Sequence, residues 1–223
     1  EKDMIVKNIE EHEKYIKSIC ENLLVKILSK NFSLIRVYII QYCIYPRLMF
    51  SPRDAIYVIK FSVLLLKLRT PYFNFVGLIG YLLKEILPCI LCCTEKESHN
   101  FGIFFLELFK ILKHWQNKTN WEKECDKTPG FDINIVKVSK KTISLKDLDS
   151  IIKTLNKRIL NVVKICLKRD YMSCRNAIIM LQKLSQVYPT NKDISKELEV
   201  NIKQMMSTCE QDDLKTMANS YLC

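Results

Sequence analysis

A chain of 223 residues that is 48% hydrophobic can bury one continuous core or form several turns of a helical array, and it is too apolar to remain disordered. Four glycines and six prolines leave little material for hairpin turns, which argues against an all-β fold and for an all-α chain in one structural unit, 1–223. The net charge of +11 favours acidic partners, nucleic acid included, yet only seven of the 35 basic residues are arginine and the richness in lysine, asparagine and isoleucine is what AT-rich coding produces. The chain opens on Glu1 and ends on Cys223, so it reads as an excised piece of a longer protein in which no targeting signal is to be judged.

Helix-start signals partition the chain from the N-terminus. Helices are predicted near 3–29 and 32–44. Ser51-Pro52-Arg53-Asp54 then sets a cap with proline in the first turn, where its missing N–H costs nothing, and opens a helix at 53–69. Thr70-Pro71 repeats the device for a helix at 72–92. The stretch Pro71 to Cys93 is apolar enough to suggest a membrane span, but Lys84 and Glu85 sit in its middle and Pro88 follows; a buried central helix fits better, and no membrane is expected. Thr94-x-x-Glu97 opens 95–117, and Thr119-x-x-Glu122 reads as a capping box for a short helix at 120–126 that Pro129-Gly130 stops. Ser144-x-x-Asp147 opens 145–170, followed by 172–187, and Thr190-x-x-Asp193 opens 191–208 before a last helix at 211–221. Short connections force neighbouring helices to pack antiparallel or at a steep angle. No repeat of fixed length recurs, so the expected architecture is an irregular helical-repeat segment, a solenoid of the HEAT/ARM kind without strict period.

Residues 127–144 interrupt this pattern. Ile133, Ile135, Val136 and Val138 alternate as a strand would, but no partner strand is predicted, so an extended loop and a possible hinge between two helical halves is expected there. The helix after it has two faces. Leu148, Ile151, Ile152, Leu155, Ile159, Val162, Val163 and Cys166 fall on one side, while Lys146, Lys153, Lys157, Lys164 and Lys168 fall within about 60° of one another on the other, spanning about 33 Å. Such a stripe is often only the solvated back of a helix. As a functional face it would track phosphates or dock an acidic partner, and five phosphate contacts on a duplex would give a log–log salt slope of about −4.5. Lys137, Lys140 and Lys141 would extend it. Tyr38, Tyr42, Tyr45 and Tyr57 recur at helical spacing and are expected in the core or at its rim.

Catalytic and metal chemistry find little to build on. His12, His99 and His114 are scattered, and no phosphate-binding glycine loop or nucleophile elbow occurs. Cys89-x-x-Cys92 has no second pair and His99 as its one plausible third ligand, short of the four that a zinc site needs. Cys20, Cys43, Cys89, Cys92, Cys166 and Cys174 stand where a small hydrophobe would serve, as free cysteines do in reducing compartments. The expectation is a protein without enzymatic activity, cofactor or small-molecule substrate.

One stretch exceeds what an amphipathic helix needs: Trp115, then Trp121-Glu122-Lys123-Glu124-Cys125, then Pro129-Gly130-Phe131. Upstream stand Pro46-Arg47, Phe50-Ser51-Pro52-Arg53-Asp54-Ala55-Ile56-Tyr57, Lys60-Phe61, Thr70-Pro71 and Asn74-Phe75. Thr94-Glu95 and Phe101-Gly102 lie between, and Arg175-Asn176 through Lys183 to Tyr188-Pro189 follow. In this order, over roughly residues 45 to 189, the chain resembles the C-terminal helical region of the THO complex subunit 2 family. Gln116, Trp121 and Ile103 stand where that family usually has histidine, tyrosine and arginine, and the loop from Asp132 to Ser144 diverges. The resemblance implies a scaffold of a nuclear THO/TREX assembly that couples transcription to mRNA packaging and export, contacting other THO subunits and a DEAD-box RNA helicase. The ATPase chemistry would belong to that partner. The quoted residues would act as caps, turns and packing groups, and direct RNA binding through the lysine face is the alternative.

Overall fold

The computed structural model describes residues 2–19, 21–22, 37–70, 73–126, 128–131 and 143–222. Among them the chain forms ten α-helices and no strand. The first helix, α1 (Lys2–Ile19), touches the rest through Ile16, which packs against Leu65 beside Phe61 and Phe73. The remainder of the expected first helix, 23–29, lies outside the described residues.

The second expected helix, of which 32–36 lie outside the described residues, runs on past residue 44. A widened π turn, Ile39–Ile44, leads directly into α2 (Tyr45–Phe50), where Pro46 sits in the first turn and cannot donate to a carbonyl one turn earlier. Helix α3 (Pro52–Lys67) then starts on Ser51, whose backbone is extended and whose Oγ accepts from the Asp54 N–H at 3.1 Å. Its buried side chains Ala55, Val58, Ile59, Leu65 and Leu66 face the core.

Three predicted threonine caps were displaced by asparagines. Asn74, not Thr70, caps α4 (Phe75–Tyr81), accepting from the Gly77 N–H at 2.5 Å. Asn117, not Thr119, caps α6 (Lys118–Glu124), and Asn191, not Thr190, caps α9 (Lys192–Thr208), each accepting at 3.0 Å from the N–H two residues on. Asparagine outranks threonine at this position, so where both stand within a few residues the asparagine sets the start. Thr119 therefore forms no capping box; its hydroxyl donates to Asn117 Oδ1 at 2.7 Å, and Glu122 turns to Lys118 at 3.9 Å.

The helix expected at 72–92 also changes character along its length. After α4 it widens into a π turn, Leu82–Ile86, and tightens into a 3₁₀ stretch, Leu87–Cys92, around Pro88, which cannot donate to a carbonyl one turn earlier. By length and composition Phe75–Cys92 would suffice to cross a membrane. In this fold Phe75, Leu78, Ile79, Leu82, Leu83, Ile86, Leu87 and Ile90 are buried in the core, and Lys84 pairs with Glu85 at 2.9 Å on the outside.

Helix α5 (Glu95–Gln116) is the central element. The predicted capping box at Thr94 and Glu97 forms, and Phe101, Phe104, Phe105, Leu108, Phe109, Leu112 and Trp115 recur at three- and four-residue spacing on its buried sides. Burying each such side chain is worth about 1.5–3 kcal/mol. Around α5 pack α2, α3, α6, α7 (Leu145–Cys166) and, most extensively, α8 (Tyr171–Leu184). The α5–α8 approach depends on Gly102, where an added Cβ would fall 2.6 Å from Lys183 Cβ and 3.1 Å from the Met180 carbonyl oxygen. Gly102→Val should cost about 1–3 kcal/mol by forcing the two helices apart; equal urea midpoints for variant and parent would show that the pair gives way freely.

The capping box at Ser144 and Asp147 forms as predicted, but α7 stops at Cys166, because Asp170 caps α8 by accepting from the Ser173 N–H at 2.9 Å. Helix α10 (Asp212–Leu222) closes on α8 through Gln182, whose Nε2 donates to the Met217 carbonyl at 3.1 Å, and through Tyr171, whose hydroxyl donates to Asp213. One hydrophobic cluster runs from Ile40 to Ala218. The expected hinge falls largely on 127 and 132–142, outside the described residues, as do Lys137, Lys140, Lys141 and the alternation from Ile133 to Val138. The residues on either side of that gap meet, since the Ile143 N–H donates to the Phe131 carbonyl at 3.0 Å.

Candidate functional site

The stretch singled out in the sequence builds an aromatic corner. Helix α5 ends by placing Trp115 inside, α6 turns back to place Trp121, and the 3₁₀ turn Pro129–Phe131 inserts Phe131 between them. Trp115 meets Phe131 edge-on at 5.4 Å and Phe75 at 5.3 Å, while Trp121 lies 5.2 Å from Phe131. Gly130 lets this turn lie directly on Leu66, whose Cδ1 stands 2.2 Å from where a Cβ would be. Cys125 is buried beside it, and burial pushes its thiol up to about 12, so it is a packing group and not a nucleophile.

Glu124, part of the quoted run but given no role of its own there, ties the corner together. One carboxylate oxygen lies 3.0 Å from His114 Nε2, and the other accepts from Trp115 Nε1 at 3.0 Å. The His114 bond, with that from Trp115, holds the Glu124 carboxyl below its ordinary 4.5 against the opposing effect of burial. A depressed carboxyl stabilises the fold above its unfolded value and loses that contribution as pH falls through the folded one. The corner should therefore lose stability below about pH 4.5, and Glu124→Gln should remove that part of the acid dependence; identical denaturation midpoints for parent and variant at pH 6 and 3.5 would contradict this.

The second motif block is also a helix-start device. Ser51 Oγ donates to Asp54 Oδ2 at 2.6 Å, Arg47 Nε stands 3.9 Å from Asp54 Oδ1, and the Arg47 guanidinium lies 4.7 Å over the Tyr57 ring. Pro52 occupies the first turn, and Arg53 is exposed with no ion pair among the described residues. Tyr38, Tyr42 and Tyr57 lie at the exposed rim and Tyr45 is half-buried. Gln116 makes a contact of its own, donating to Asp149 Oδ1 at 2.8 Å across to α7.

Of the basic stripe, Lys146, Lys153 and Lys157 project from α7 into solvent with no ion pair among the described residues. Lys164 is engaged, 2.6 Å from Glu197 of α9. Lys168 lies past the end of α7, in the turn to α8, and so leaves the straight row that a helix to 170 would have made. Arg158, about 120° round the helix from the lysines, was missed; the fold brings it near enough to Lys84 for its charge to act there. Only tertiary packing could bring these two cations towards one another, and Lys84 has Glu85 as its ion-pair partner. The cysteines divide unevenly: Cys166 and Cys174 are buried, Cys89 half-buried, and Cys43 and Cys92 exposed, contrary to the apolar-face expectation for the last two. Cys20 lies outside the described residues. No three His, Cys, Asp or Glu side chains converge among the described residues.

Comparison with known proteins settles where such a chain belongs. The family model Tho2, transcription factor/nuclear export subunit protein 2, matches residues 1–223. The chain belongs to the Tho2 family. It is 35% identical over 187 residues to THO complex subunit 2 of Arabidopsis thaliana, covering 82% of this chain and 10% of that protein. Its identity to THO complex subunit 2 of Mus musculus is 24% over 196 residues, covering 82% of this chain and 12% of the mouse protein. For the Saccharomyces cerevisiae protein of the same name it is 23% over 185 residues, covering 82% and 10%. The chain thus spans about a tenth of the length of these relatives. The family match takes in both flanks beyond 45–189. No solved structure matches significantly.

Proposed function

We propose that this chain is a scaffold and interaction module within a nuclear THO/TREX-type complex, one stretch of a longer irregular helical array that serves transcription-coupled mRNA assembly and export. Membership of the Tho2 family, whose relatives carry the name THO complex subunit 2, is the observation that supports this reading. The motif residues fit it, because Ser51, Asp54, Trp115, Trp121, Cys125, Gly130 and Phe131 serve caps, turns and packing, which fix helix angles and hence the shape presented to partners. The partners are other THO subunits and a DEAD-box RNA helicase that the scaffold helps to position. Co-expression of the chain within its flanking regions, together with the cognate subunits and helicase, should yield a stable complex on tandem purification. Recovery of the folded chain alone would overturn the proposal.

A further inference from the structure

The exposed arc of α7 is a lane and not only a row of lysines. Lys146, Lys153, Lys157 and Lys164 form one edge, Arg158 stands at the other, and Ser150, Thr154, Asn161 and Ile165 lie between them at 100° per residue. Helix α9 bounds the lysine edge, where Glu197 already holds Lys164. The π turn Leu82–Ile86 also packs against α7, and on it Lys84 is already paired with Glu85 at 2.9 Å. From Ser150 to Cys166 the helix carries no acidic residue.

The Ser150–Thr154 part of the floor can be covered at little cost. Ser150 Oγ donates to the Lys146 carbonyl at 3.2 Å and Thr154 Oγ1 to the Ser150 carbonyl at 2.8 Å, so an occupant leaves neither donor unmet. Ile165, 51% exposed, supplies an apolar contact at one end. Small, self-bonded residues allow close approach of another helix, and cations on both sides favour acids flanking its seam. A nucleic-acid strand fits less well, since the arc offers no aromatic ring on which a base could stack.

We propose that this lane docks an amphipathic helix of a partner protein, with a small apolar seam flanked by acidic residues. The proposal rests on the scaffold reading for the source of that helix. Its test uses a fluorescent peptide helix bearing glutamates on both sides of an alanine–leucine seam, and a mixed-sequence single-stranded RNA as the competing probe. The peptide should bind the chain, more weakly as salt rises. The pair Lys153→Glu and Lys157→Glu should weaken it about tenfold or more. Thr154→Trp, which keeps every charge but fills the lane, should weaken it comparably while circular dichroism stays unchanged.

Failure of the peptide to bind, undiminished binding by folded Thr154→Trp, or tighter binding of the RNA lost with the same lysine changes would each overturn the docking lane. A chain that still co-purifies with THO subunits but ignores the peptide loses only the lane. A chain that binds the peptide but recovers no subunit loses the scaffold.

Discussion

Trp115→Ala should lower the unfolding free energy by about 3–5 kcal/mol, the range for deleting a fully buried large aromatic side chain. The indole is 1% exposed, with Phe75 and Phe131 edge-on against it, and its Nε1 donates to Glu124. Alanine would leave a cavity that α5, α6 and the Pro129–Phe131 turn must all collapse to fill. It would also strip Glu124 of a bond. Trp115→Phe separates the two effects, keeping most of the packing and losing a hydrogen bond to a charged group, worth about 1.5–3 kcal/mol. Equilibrium denaturation gives both numbers. A loss under about 1 kcal/mol for the alanine variant would place the ring at the surface.

Asn176→Ala should cost about 1–3 kcal/mol, although it removes few atoms. Asn176 is fully buried on α8, and its Nδ2 donates to the Ile90 carbonyl at 3.1 Å and the Cys93 carbonyl at 2.6 Å. Those oxygens lie at the end of the 3₁₀ stretch, where the Ile90 carbonyl also accepts from the Cys93 N–H at 3.4 Å and the Cys93 carbonyl has Asn176 as its donor among the described residues. Without the amide the buried Cys93 carbonyl is left unmet and the Ile90 carbonyl keeps only the long bond from the Cys93 N–H. Asn176→Asp replaces the donor with an acceptor facing those oxygens and should be worse than alanine. Near-wild-type midpoints for both variants would show that the segment finds other partners.

Asn176 belongs to a group that the sequence hides. Asn100 donates from α5 to the Met49 carbonyl at 2.9 Å, near the end of α2, and Asn156 donates within α7 to the Ile152 carbonyl while its oxygen accepts from the Thr190 N–H at 3.4 Å. In sequence each is one more polar residue in an asparagine-rich chain. A hydrophobic period says which face is buried, but not that a polar group on that face meets a helix end from 34 to 86 residues away. The three displaced threonine caps failed for a local reason: asparagines within a few residues are better caps. The early stop of α7 at Cys166 follows from the same competition, because Asp170 starts the next helix.

The sequence by itself determined the class of fold, through scarce glycine and long amphipathic periods, and the family, through ordered blocks that reach from Pro46 to Pro189. It also placed the capping boxes at Thr94 and Ser144, since both partners of each lie within one turn. Tertiary structure alone decided what the surface offers. It tied Lys164 to Glu197, left Lys153 and Lys157 exposed, and set Arg158 near Lys84. A helical wheel fixes which residues share a face, whereas the charges opposite that face come from elements distant in the chain.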